Sequence, residues 1–524
     1  MAMTETRPAP TAEPVVALPE TVLADPPGIA GWLMTADHKR IGRLWIATSL
    51  LFLLGGGVLG SLLGVERVQS GLDVFTRRSF GAVYSLHGEM TVLLFLVPLV
   101  IGIATFVVPL QIGSSEIAFP RGAATAYWLY LVSRAVLIGA YIDNGGPTGT
   151  RSEAVDLWLL ALVGILVATT IALVSLLTTV LALRTGGMTL LRTPAFSWSI
   201  LVGGSLTLLA TPILASRLVQ MYVTHHFGGD LGNYRTEIGW FWSVPQVYLL
   251  AVPAAGVALE IVPVLAKARL RMHAAALVVI GLIGVAGVGA WAQDSNQFTK
   301  PLYVAIGLFA VIPALALLGL LADTARGGRP KPKAALVLAM GAALMLLLGA
   351  VAGALLVIDP LHVHKTVWEA GQMHLVLVGA GGLGGLAALW WWAPKLYGVE
   401  LSEGAGFLAF LTTFVGTLLL AIPDLVNGKA NKLPLKAITF DDGGSTKALS
   451  GLSAAGGILV TVGALVVVLA LLATLRKRGT AARDPWGGHT LEWSTASPPS
   501  RSNFDGPVPA VVSATPLFTD EVSG

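Results

Sequence analysis

The sequence predicts an all-α, polytopic membrane protein with twelve transmembrane helices, and three observations carry that prediction. Of 524 residues, 55% are hydrophobic and 12% charged, against about 25% charged in an ordinary soluble domain. Mean hydropathy is +0.76, and a helical crossing takes about 20 mainly apolar residues, which leaves room for roughly a dozen crossings. Apolar runs broken by Gly, Pro and charged residues then recur along most of the chain.

Residues 1–30 are rich in Pro, Ala and Thr and lack the apolar core of a signal peptide, so they are expected to form a disordered tail. A membrane domain is expected over 31–478. Its runs fall near 42–64, 80–109, 125–142, 154–183, 197–216, 238–265, 273–292, 301–323, 334–358, 367–393, 404–423 and 450–475. No soluble domain interrupts them, and residues 479–524 form a polar, Pro- and Ser-rich tail expected to be irregular. An even number of crossings puts both termini on one side. Short connections on that side carry Lys39, Arg40 and Arg43, then Arg184 and Arg192, then Lys267, Arg269 and Arg271, then Arg326, Arg329, Lys331 and Lys333. The positive-inside rule makes that side cytoplasmic.

A net charge of +4 without basic blocks beside aromatics gives no support for nucleic-acid binding; membrane lipid is the expected surrounding. Cysteine is absent, which excludes disulfides, thiolate-held zinc or iron–sulfur clusters and covalently attached haem. Any metal or cofactor must be held by His, carboxylate, Met, Tyr or backbone groups.

Polar groups inside a membrane are costly and therefore point to function. Of nine histidines, His38, His225, His226, His273, His362, His364 and His489 fall in loops, tails or span ends and are read as solvated or capping residues. His87 and His374 alone lie within apolar runs. Their spans, the second and the tenth, cross in the same direction, and each histidine lies about seven residues in, roughly 10 Å deep. Two imidazoles at one level suit axial ligation of a haem iron, each held through its second ring nitrogen. Two unrelated hydrogen-bonded core histidines would show the same spacing.

Around these residues the chain resembles subunit I of the haem-copper oxygen reductases, the cytochrome c oxidase family. The resemblance covers about residues 31–504. It is carried by Thr35-Ala36-Asp37-His38-Lys39-Arg40-Ile41-Gly42, Leu86-His87-Gly88, Val108-Pro109-Leu110-Gln111-Ile112-Gly113, Ala118-Phe119-Pro120-Arg121, Asp484-Pro485-Trp486-Gly487, Thr490-Leu491-Glu492-Trp493 and Ser497-Pro498-Pro499. It implies the family's twelve-helix fold, a bacterial cytoplasmic membrane, and partners of the subunit II and subunit III type with a cytochrome c or a cytochrome bc complex. It also implies that His87 and His374 are the two axial ligands of a low-spin haem, of type a or b.

The family's oxygen-reducing site pairs a high-spin haem with a copper held by three histidines, and here the matching positions differ. His-Pro-Glu-Val-Tyr reads Val244-Pro245-Gln246-Val247-Tyr248, the paired histidines fall in Gln293-Asp294-Ser295-Asn296-Gln297, and the His-x-His of the tenth helix reads Gln372-Met373-His374. An amide is a poor ligand for haem iron and Val cannot bind copper. The family's proton-supplying lysine aligns with Leu317, and its entrance Asp and Asn pair with Glu116 and Ala123-Ala124. Its magnesium or manganese site meets His364-Lys365. Its propionate-neutralising Arg pair meets Pro423-Asp424-Leu425, which makes Lys365 a candidate cation. Glu89 is an acid the pattern lacks, with Lys365 as one possible partner; Glu260 and Tyr248 are read as structural.

The expected protein is thus a subunit I homologue with one low-spin bis-His haem, without copper or a second haem, active in electron transfer or as a structural member of a respiratory complex. Alternatives are a cofactor-free scaffold or assembly subunit, an active terminal oxidase with an unconventional site around Asp294, Tyr248 and Gln372, or a transporter on the same scaffold.

Overall fold

The computed structural model describes residues 28–69, 71, 74–232, 238, 245–294, 299–430, 444–474, 476–477 and 479–518. The chain divides into two units, Met1–Thr35 and Ala36–Gly524. In the first, a five-residue helix, Ile29–Leu33, begins where disorder was expected to end; residues 1–27 lie outside the described residues. The second unit holds the helices that follow. These are α1 (His38–Glu66), α2 (Arg78–Gln111), α3 (Pro120–Ile142), α4 (Ser152–Ala182), α5 (Ala195–His226), α6 (Pro245–Leu265), α7 (His273–Gly289), α8 (Pro301–Arg326), α9 (Ala334–Leu356), α10 (Val367–Tyr397), α11 (Glu403–Lys429) and α12 (Gly444–Thr474).

Eleven of these are long and apolar enough to cross a membrane, and the chain is an integral multi-pass membrane protein. The remaining expected crossing, the seventh, is α7, a 17-residue apolar helix. Ala290 after it is still α-helical and a further turn, Trp291–Asp294, continues the path. α5 runs ten residues beyond its expected end at 216, because Ser216 faces outward while Leu218 and Met221 stay buried. At its end His225 and His226 both hydrogen-bond the Asp156 carboxylate of α4, at 2.7 and 2.8 Å.

Local chemistry explains where the helices begin. Asp37 accepts from the Lys39 N–H at the start of α1, Thr76 and Ser79 cap α2 reciprocally, Thr366 accepts from the Trp368 N–H before α10, and Ser402 accepts from the Ala405 N–H before α11. Gly398, in the left-handed region at φ 70°, ends α10.

In lipid an outer helix can leave apolar side chains uncovered, so burial separates inner from outer helices. Within the most apolar stretch, 94% of α6 and 83% of both α2 and α10 are buried, against 28% of α1 and α12. The three inner helices carry Tyr248, His87 and His374. Small residues let their neighbours approach: a Cβ at Gly42 of α1 would lie 2.7 Å from the Gly102 carbonyl of α2. α11 packs along both α10 and α12, and α12 packs along α1.

Residues 479–518 have little regular structure, yet they are docked. Lys395 of α10 donates to the carbonyls of Arg483, Thr495 and Ala496 at 2.8, 2.7 and 3.3 Å. Glu492, fully buried, accepts from Gln111 at 3.0 Å and Trp392 at 3.2 Å. Asn503 accepts from Lys39 at 2.9 Å and donates to the Ser114 carbonyl at 2.8 Å. Two histidines read as solvated or capping are therefore core residues. His38, 2% exposed, bridges the Thr105 carbonyl and Asn503, and His489 is 7% exposed.

Candidate functional site

His87 sits near the end of the first, α-helical part of α2, and His374 is the last α-helical residue before a change in α10. In both helices a π-helical stretch follows, Met90–Leu96 in one and Leu375–Gly382 in the other. Such widened turns are rare and recur at functional sites. The two stretches touch each other. A Cβ at Gly381 would lie 3.6 Å from Leu96 Cδ2, and one at Gly385 would lie 2.7 Å from Leu99 Cδ2. The two histidines each lie about two turns before this contact.

The His87 ring is oriented by α1. Its Nδ1 lies 3.0 Å from the Gly56 carbonyl, which can only accept, so Nδ1 carries the proton and a neutral ring presents the Nε2 lone pair. Gly60, one turn along α1, leaves room for that ring: a Cβ there would lie 2.7 Å from His87 Cε1. His374 Nδ1 is buried without a partner among the described residues. Both rings are only half-buried although both sit on inner helices. Two imidazoles on neighbouring helices, one with its tautomer fixed by a carbonyl, are the donor set that a six-coordinate haem requires.

The other face of α10 is built differently. Gln372, two residues before His374 and 4% exposed, donates through Nε2 to the Tyr248 hydroxyl of α6 at 3.3 Å. Tyr248 donates to Gln293 Oε1 at 3.2 Å, and Gln293 Nε2 donates to the Gly307 carbonyl at 2.8 Å. A Cβ on Gly353 of α9 would collide with the Tyr248 hydroxyl. Tyr248, read as structural, is thus buried and hydrogen-bonded between two amides. Leu317 of α8 is fully buried. Val244 and residues 295–298, and the side chains of Gln246 and Asp294, lie outside what the structure describes.

Two other acids have defined places. Glu89 does not reach Lys365: its Oε1 accepts from Tyr141 at 3.1 Å and Trp158 at 3.0 Å, while Oε2 is buried without a partner among the described residues. Lys365 is exposed, and its backbone N–H donates to Glu369 at 2.6 Å. Glu260 accepts from the Phe196 N–H at 3.1 Å and so caps α5, the structural part expected of it.

Sequence reasoning missed the buried ion pair between Arg67, just past α1, and Asp424 of α11, 3.1 Å apart. It was hidden because 357 positions separate the partners; the only signal was an uncompensated Asp in an apolar run.

An inner trio of buried helices, two of them carrying intramembrane histidines, defines a multi-pass membrane protein with a polar site in its interior. The family described as Cytochrome C and Quinol oxidase polypeptide I matches residues 40–478, and the chain belongs to it. It is 30% identical over 515 residues to a Streptomyces coelicolor protein named as a cytochrome c oxidase subunit 1-beta, covering 93% of this chain and 90% of that one. It is 29% identical over 498 residues to cytochrome c oxidase subunit 1 of a Synechocystis strain, covering 90% and 89%. It is 27% identical over 524 residues to cytochrome c oxidase subunit 1 of Corynebacterium diphtheriae, covering 94% and 92%. Members of the family normally bind haem and copper and work with subunits II and III in an oxidase complex.

Proposed function

We propose that this subunit I homologue binds one low-spin haem between His87 and His374 and serves in electron transfer or structurally within a respiratory complex, without reducing oxygen itself. Bound haem supplies reversible one-electron exchange between ferric and ferrous iron. The observation that carries the reading is the asymmetry of α10. His374 keeps a buried ring nitrogen without a partner among the described residues, whereas Gln372, at the position where the family resemblance places the second haem's ligand, is tied into the bonds of Tyr248 and Gln293. Gly56 holds His87 in the tautomer that offers Nε2, and Gly60 gives its ring space. An iron held by two imidazoles would have no open coordination site for dioxygen.

The same reading places both termini on the cytoplasmic side of a bacterial cytoplasmic membrane, from the lysines and arginines of the short connections. Its partners are homologues of subunits II and III and a cytochrome c or cytochrome bc complex.

Optical and electron paramagnetic resonance spectra of protein purified from haem-replete cells test this. The expected result is a six-coordinate low-spin haem, unshifted by carbon monoxide and abolished by His87→Ala or His374→Ala. A stoichiometric carbon monoxide adduct would show an open iron and overturn it. A chain free of haem would favour a cofactor-free scaffold.

A further inference from the structure

Arg67 follows the last turn of α1, and Asp424 lies near the far end of α11. Their contact is a fork, with Nη2 donating to Oδ1 at 3.1 Å and Nη1 to Oδ2 at 3.4 Å. The Asp424 side chain is 1% exposed and that of Arg67 14%. This geometry engages two of the three guanidinium nitrogens. The third, Nε, is buried and has no partner among the described residues. His374 Nδ1 is a second buried nitrogen without a partner among the described residues.

A buried donor left unanswered costs about 1–3 kcal/mol, and more when it is charged, so a native site that keeps one implies an acceptor. Asp424 cannot serve, since both of its oxygens already face the two Nη atoms. Glu66, the nearest acid in sequence, accepts from the N–H groups of Val74 and Phe75. A porphyrin held by His87 and His374 must also bring its carboxylates out of the apolar interior, because a carboxylate stranded there is far costlier than one at the end of the bundle beside a cation. Arg67 stands at that end, on the same side as the starts of α2 and α10.

We propose that Arg67, clamped by Asp424, binds a carboxylate of the haem through its free Nε–H. Arg67 then takes the part that the resemblance left to Lys365, whose exposed side chain lies on the loop before α10. Asp424 is a positioning residue: it fixes the guanidinium plane and leaves the Nε edge turned away from itself. The inference rests on the haem reading above.

Its test uses the full chain in detergent, with two readouts, the rate at which haem is lost to excess apomyoglobin and the haem midpoint potential. Arg67→Met is expected to release haem at least about tenfold faster, the scale of one lost charge-assisted hydrogen bond, and to lower the potential, because removing a cation favours ferric iron. Breaking a buried pair can unfold a protein by leaving one charge alone. The double variant Arg67→Met with Asp424→Leu removes both charges and is expected to fold with the same fast release. Lys365→Met should match wild type in both readouts. A folded double variant that holds haem as wild type does, or a Lys365→Met loss equal to that of Arg67→Met, overturns the assignment. A wild-type chain without bis-His haem overturns the earlier reading and takes this one with it.

Discussion

At the scale of single residues, the two faces of α10 should respond independently. Gly60→Ala places a Cβ 2.7 Å from His87 Cε1, so the ring must turn and its bond to the Gly56 carbonyl breaks. The expected outcome is loss of most bound haem with helix content unchanged, read by pyridine haemochrome and circular dichroism. Tyr248→Phe acts on the other face. It removes the hydroxyl shared by Gln293 and Gln372 and leaves buried amide groups unpaired, a loss of about 1–3 kcal/mol. Thermal unfolding should fall while the haem spectrum stays as in wild type, and Gln372→Ala should likewise keep the haem. Loss of haem in either variant would mean that the Tyr248 network and the histidine pair form one site.

At the scale of helices, close approach of backbones holds the outer wall. A Cβ on Gly456 of α12 would overlap the backbone around Leu420 of α11, and one on Gly416 would lie 2.9 Å from the Val460 N. Gly456→Leu is therefore expected to separate α11 from α12 and lower the thermal midpoint, whereas Gly451→Ala, with nothing among the described residues within 4 Å of its Cβ, should not; equal effects would show that small residues do not set this packing. How far such features can be read from sequence depends on range. The crossings, and His87 and His374 within them, were legible because apolar runs and depth along a helix are local properties. The π-helical stretches after both histidines have no compositional mark: Met90–Leu96 is rich in Leu, and Leu375–Gly382 in Gly. Arg67 with Asp424, Glu89 with Tyr141 and Trp158, and Glu492 with Gln111 each join helices or segments far apart in the chain, so nothing local marks them.

At the scale of the whole molecule, the C-terminal segment is a docked part of the membrane domain. Burial, with the Arg269 charge adding to it, pushes the His489 imidazole down to about 4. The unfolded chain binds a proton there below its ordinary value near 6.5 while the folded one does not. Stability contributed by neutral His489 is thus complete above about pH 6.5 and is lost as pH falls toward 4. Protease cleavage within residues 479–518 should speed up over that interval in wild type, and His489→Gln should flatten the dependence; an unchanged pH profile in the variant would remove His489 as its source. Lys395→Met, which takes away the donor to three tail carbonyls, should release the segment at every pH.

The proposed function requires one redox centre in a scaffold where Gln372, Tyr248 and Gln293 bond to one another. Iron, copper and extractable haem counted per chain in one purified sample test it most directly. One haem iron and no copper is the expected result; two haems together with copper would overturn the proposed function.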